Sequence, residues 1–426
     1  METKVPVVAL AMCFTLGAPL AHSKEMPELL EIARNSERFG AMDTWPGHND
    51  PGIFRANYEF KFDTLMSRSE GRISDDRMPW SDSWWPHRQG GIASRWQVTK
   101  EYPNISFGGY QEERNRVLGM SPDEIRALSP AEKYDIFRGD YSFSLTREVL
   151  SQTHPEMPEW FGICNGWASA AINHREPAPV TVYNADGVRI DFGSGDVKGL
   201  MAHFYNGPGN GNSIQLGGRC QPYGPTDCED THPAALHIVL LNQIGFLNES
   251  FVADVDGLKY DDEEYHRTGQ AKTRIGYQHE VWNQPVFAYK TRVLDTMDCT
   301  TRVCSAVAVG TVRQVRIETL MGYADDEVPV WSPSLGTREF LQKTRRYEYW
   351  LEIDSNGYII GGTWISEDRP DFLWLAFSRE FTGMYSDLNR IYQPAPSAAF
   401  CVPPKFLQPD PHWPGRPVYP VGPLCP

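Results

Sequence analysis

Apolar positions along the chain change period from one stretch to the next. Ile163, Trp167 and Ala171 fall at i, i+4 and i+8, and Ala168 and Ile172 widen the same stripe, which predicts a helix over Asn165–Asn173. SPDEIRALSPAEKYDIFRGD starts twice on Ser-Pro: Ser121 with Pro122, then Ser129 with Pro130, each an N-cap followed by proline at the first helical position. Two short helices are expected there. Strict alternation in NESFVADVDG sets Phe251, Ala253 and Val255 on one face of a strand and Val252, Asp254 and Asp256 on the other. TVRQVRIETL, RRYEYWLEID and IIGGTWIS are β-rich, and Asn356-Gly357 between the last two signals a hairpin. PAALHIVLLNQIG is apolar almost throughout. Thr231 and Pro233 suit a helix cap and first turn, while HIVLL equally suits the start of a strand, and both readings stay open.

These patterns suggest an α+β chain in segments. Residues 1–23 read as a secretory signal peptide, since Lys4 precedes the run VPVVALAMCFTLGAPL and the small residues of AHS. Residues 24–150 are expected to form a mostly helical N-terminal domain that could serve as a pro-region, 151–310 a mixed core, and 311–392 an antiparallel β region. From 393 to 426 a proline-rich tail follows. A length of 426 residues favours more than one domain, and 41% hydrophobic content suffices for real cores. The net charge of −15 and the lack of a basic run argue against nucleic acid or an anionic membrane as partner. No later apolar run is long enough to span a bilayer, so a secreted protein is expected, periplasmic if the source is bacterial. The loop NGPGNGNSIQLGG matches neither a dinucleotide nor a P-loop pattern.

Cysteine arithmetic sharpens the picture. Of eight cysteines, Cys13 leaves with the signal, and six fall into neighbouring pairs: Cys220 with Cys228, Cys299 with Cys304, Cys401 with Cys425. Each pair would close a short loop, as suits an oxidising compartment. Cys164 has no mate. At the first turn of its helix, unpaired N–H groups and the macrodipole favour a thiolate, and Gly162 and Gly166 are expected to leave room for a substrate carbonyl. A nucleophile needs an imidazole and an acceptor to orient it. His237 is the first candidate base and His279 the competing one; Asp254 is preferred to Asp256 as the third member. Neither CxxC nor HExxH occurs, so zinc has little support.

At VWNQPV, residues 281–286, the chain resembles the secreted oomycete elicitor transglutaminase family and its bacterial relatives, whose elicitor peptide contains that hexapeptide. GICNGWASAAI around Cys164, DFGSGDVKGLM, PAALHIVLLNQIG, FVADVD and YWLEIDSNGYIIGGTW are similar as well. The resemblance implies a papain-like cysteine core and a calcium-dependent protein-glutamine γ-glutamyltransferase, with Cys164 as the acyl-accepting nucleophile and His237 as base. Partners would be proteins bearing glutamine and lysine. Trp282 and Asn283 become candidates for a second oxyanion donor, and Trp282 also for a wall that keeps water from a thioester. Calcium is implied by the resemblance alone: no EF-hand pattern occurs, and the densest acidic run, Asp261–Glu264, reads more simply as a solvated loop. After the hexapeptide the chain continues FAYKTRV, unlike the family peptide's usual continuation. A papain-like peptidase, a glutamine deamidase and a non-catalytic secreted elicitor or binding protein are the alternatives.

Overall fold

Both Ser-Pro starts become helices with complete capping boxes. Ser121 caps Pro122–Ala127 and Ser129 caps Pro130–Arg138, each hydroxyl accepting from the N3 backbone while the N3 glutamate reaches back. The computed structural model describes residues 47–96, 114–158, 160–207, 209, 213–218, 230–255, 281–301, 304, 307–331, 335–336, 341–366, 369–377 and 379–395. The signal segment, the helix expected over 26–40, the pairs Cys220/Cys228 and Cys401/Cys425, Asp256, Asp261–Glu264, His279 and the tail beyond 395 lie outside the described residues. Cys299 and Cys304 are joined as expected, and Cys164 is unbridged and buried.

The strands are β1 (Glu70–Arg72), β2 (Val180–Tyr183), β3 (Arg189–Phe192), β4 (Ser213–Gly217), β5 (Phe251–Asp254), β6 (Asn283–Asp298), β7 (Arg313–Ala324), β8 (Gln342–Ile353), β9 (Ile359–Trp364) and β10 (Phe372–Ala376). An antiparallel sheet runs in the order β4-β10-β5-β6-β7-β8-β9, with β1 added to β6, while β2 and β3 pair separately. Gly357, at φ 85°, supplies the left-handed residue in the turn between β8 and β9.

Packing crosses the boundaries expected at 150/151 and 310/311. Residues from Trp80 to Leu150, the helices Cys164–Asn173 and Ser194–Asn206, and the stretch from Phe381 to Ile391 share one apolar core. The early strand β1 belongs to the main sheet, and β10 lies between β4 and β5. Residues 80–150 therefore contribute to the core that carries the cysteine.

Register decides what each face of the sheet sees. Asp254 pairs with Asn283, and Val252 with Trp374, so these four side chains share a face. On it Val252, Phe372, Trp374 and Ala376 pack against Ala168 of the cysteine helix. Phe251 pairs with Val286 and Val286 with Tyr323; two-residue steps then carry the opposite face through Met321 and Thr319 to Ile317, which pairs with Tyr349. Against that second face lies the helix Pro233–Leu240, whose Pro233 and Ala234 side chains stand at the α-carbon of Gly362.

Candidate active site

The cysteine helix begins at Cys164 itself, after Ile163 at φ −117° and ψ 40°, with no side-chain cap. The sulfur is thus at the first turn, as its sequence position suggests, and the backbone N–H of Cys164 has no acceptor within the helix. The neighbouring glycines serve a different purpose from the one expected. A Cβ on Gly162 would lie 2.1 Å from the Trp84 carbonyl oxygen, and one on Gly166 2.0 Å from that of Ala202. They permit close backbone packing and leave no open space. The Ile163 N–H donates to the same Trp84 carbonyl at 2.7 Å, which pins the start of the helix.

Facing the sulfur is the start of the hexapeptide segment. The Cys164 thiol donates to the carbonyl of Val281 at 3.4 Å, and Asn283 Nδ2 donates to Sγ at 3.6 Å. Asn283 Oδ1 accepts the indole N–H of Trp374 at 2.8 Å. Asp254 is fully buried on the same face, and its Oδ1 accepts the Trp282 N–H at 2.9 Å. The Trp282 ring is half-buried with its centre 6.1 Å from that of Trp84. The last four residues of VWNQPV are buried, so most of the hexapeptide is part of the sheet and of the site.

Electrostatics here differ from the helix-start expectation. Burial pushes the Cys164 thiol up from its ordinary pKa; the backbone and side-chain N–H groups of Asn283 pull it down, and the carboxylates of Asp254 and Asp326 push it up again. Burial is the largest of these influences, and the net direction is upward.

The expectation that His237 serves as base is corrected by the register. His237 lies in a helix, not at the start of a strand, and Nδ1 bonds the Tyr349 hydroxyl at 2.9 Å, on the face of the sheet opposite Cys164. Phe62 and Tyr349 enclose the ring, and burial pulls its pKa down to about 3. The residues that meet the ring are Phe62 and Tyr349, on the face away from Asp254. Among the described residues no imidazole contacts the sulfur. Cys164, Asp254, Trp282 and Asn283 are brought together, and His237 is not. Trp84 and Trp374 carry no signal in the sequence, since nothing local marks residues 91 positions apart, such as Asn283 and Trp374, as a contact.

No group of three or more His, Cys, Asp or Glu side chains that could hold a metal ion occurs among the described residues, and the acidic run Asp261–Glu264 lies outside them. No described helix is long and apolar enough to cross a membrane.

A search of solved structures finds the crystal structure of the GP42 transglutaminase from Phytophthora sojae, 22% identical, with a TM-score of 0.57 over 81% of this chain and 97% of that one. At that identity the likeness concerns the fold, and it agrees with the mixed helical and antiparallel architecture expected from the sequence. No curated protein matches the chain. The profile of the family described as transglutaminase elicitor matches residues 52–260 and 314–390, about two thirds of the length, and spans Cys164 and Asp254. The chain belongs to the transglutaminase elicitor family.

Proposed function

We propose that the protein is a secreted protein-glutamine γ-glutamyltransferase that joins protein-bound glutamine to lysine through a Cys164 thioester. The observation that carries this reading is an unbridged cysteine at the first turn of a helix, with the amide nitrogen of Asn283 aimed at its sulfur at 3.6 Å. An oxygen developing on the glutamine carboxamide would accept from the Cys164 backbone N–H and from Asn283 Nδ2.

The base we assign is His279. It lies outside the described residues, and two peptide units separate it from Val281, a covalent reach of about 7 Å. Val281 is the residue whose carbonyl accepts the thiol proton. Asp254, on the sulfur's face of the sheet, is assigned to orient the ring. The imidazole takes the thiol proton as sulfur attacks the carboxamide carbon and returns it to the departing ammonia. In the second half a lysine amine attacks the thioester, gives up its proton to the same ring, and the thiolate leaves and is reprotonated. The Trp282 ring, one residue on from the Val281 carbonyl that meets the thiol and packed against Trp84, is assigned to limit water, which favours transfer over deamidation. The Cys299–Cys304 bridge supports an oxidising compartment, in keeping with the signal-like first 23 residues.

Incorporation of a fluorescent primary amine into a glutamine-bearing protein, with ammonia release in parallel, tests the reading. Labelling by the native protein and none by Cys164→Ala is expected. Cleavage of the acceptor protein without labelling would assign a peptidase, and ammonia release without labelling a deamidase.

A further inference from the structure

Asn283 can present either end of its amide to the sulfur, and a residue outside the immediate site decides which. An indole nitrogen only donates, so the Asn283 atom that meets Trp374 Nε1 at 2.8 Å must be the carbonyl oxygen. With Oδ1 held there, Nδ2 necessarily faces Sγ. The reverse orientation would set two N–H groups against each other and an oxygen lone pair against the sulfur. Trp374 cannot turn away easily. It is buried in β10, paired with Gln215 of β4 on one side and Val252 of β5 on the other, within the cluster that includes Ala168 of the cysteine helix.

We infer that Trp374 is a positioning residue for Cys164, acting through Asn283: its indole N–H locks the amide so that the NH2 group points at the sulfur and at the oxygen formed beside it in acyl transfer. The direction of the effect follows from the surroundings. Among the described residues the charged groups acting on the thiol are Asp254 of β5 and Asp326 beyond the end of β7, and both disfavour a thiolate. Asn283 of β6 supplies the opposing N–H groups. A free amide would spend part of its time with oxygen toward the sulfur and lose that support.

The catalytic consequence rests on the transferase reading, but the effect on the thiol does not, and the test separates them. Iodoacetamide alkylation of Cys164 in the full chain, followed by mass spectrometry across a pH series, reports thiolate formation directly. Trp374→Phe keeps a ring in the cluster and removes the donor. It is expected to raise the apparent thiol pKa by about one unit, read as about tenfold slower alkylation at pH 8. Asn283→Leu should give a similar shift, and the double variant no more than either alone. In the amine-incorporation assay Trp374→Phe should lower kcat with KM little changed. A Trp374→Phe profile superimposable on the native one, or shifts that add in the double variant, would overturn the inference. If Trp374→Phe does not fold, 3-benzothienylalanine in place of Trp374 keeps the bicycle and deletes only the N–H, with the same expected and overturning outcomes. A protein whose alkylation shifts as expected but that never incorporates an amine would uphold the relay and sink the transferase reading.

Discussion

A line of buried polar side chains lies on each face of the sheet, and the two lines end differently. On one face Trp374 donates to Asn283, Asn283 donates to Cys164, and the thiol donates to the Val281 carbonyl. On the other, His237 Nδ1 meets the Tyr349 hydroxyl, which bonds Thr319 at 2.7 Å, and Thr319 bonds Thr291 at 3.0 Å; every member is buried. The first line ends at the unbridged sulfur, next to the start of the hexapeptide segment. The second closes inside the core. Reactivity therefore follows from where a polar line terminates, and a buried histidine at the end of a closed line is a structural group whatever its residue type suggests.

The largest test of this contrast removes the sulfur. Cys164→Ala should abolish amine incorporation, a fall of about 10³-fold or more, with little change in thermal unfolding, because the site buries a thiol that an alanine methyl replaces at small cost. Next comes the choice of base. His279→Gln should lower kcat by about 10²- to 10⁴-fold. His237→Gln should leave it within a few-fold while the unfolding midpoint drops, and a collapse of kcat in His237→Gln with His279→Gln unaffected would reverse the assignment of the two faces.

The closed face also predicts a pH dependence. Burial holds His237 neutral with its pKa near 3, against about 6.5 in the unfolded chain. Below pH 6.5 the unfolded chain binds a proton that the folded protein refuses, so stability is fully present above 6.5 and declines as pH falls toward 3. The loss due to this group alone is about 3 kcal/mol by pH 4. His87, His174, His203 and His232, whose pKa values burial lowers to about 4, act in the same direction. Urea unfolding of His237→Gln between pH 7 and pH 4 should show a shallower decline than the native protein, and parallel declines would place the acid sensitivity elsewhere.

Local devices are legible in the sequence. Ser121 and Ser129 each cap a helix through a glutamate three residues on, and Asn356-Gly357 turns a hairpin, because both kinds of signal need only a few consecutive residues. Cys164 stood out by parity of cysteine count and by its place at a helix start. What depended on register was not readable. All eight residues of Pro233–Leu240 are buried, so no period distinguishes a helix from a strand there, and nothing local tells which face of the sheet His237 packs against. Gly162 and Gly166 look alike whether a ligand or a carbonyl oxygen approaches them, and here it is a carbonyl oxygen. Asn283 and Cys164 are separated by 119 positions and meet only because β6 pairs with β5 under the cysteine helix.

The smallest effect concerns the middle of the closed line. The Tyr349 hydroxyl lies between His237 Nδ1 at 2.9 Å and Thr319 Oγ1 at 2.7 Å, with no water-facing alternative for either neighbour. Tyr349→Phe leaves the ring's packing against His237 and Trp364 in place and deletes only that oxygen. Both neighbours then lose a partner in a site that excludes solvent, at a cost of about 1–3 kcal/mol. Because the oxygen is on the face away from the sulfur, Cys164 alkylation and amine incorporation should stay at native rates. Denaturant midpoints and iodoacetamide kinetics on the same preparation separate the two expectations: a slowed thiol in Tyr349→Phe would show that the faces are coupled through the sheet, and an unchanged midpoint would show that the line contributes nothing to stability.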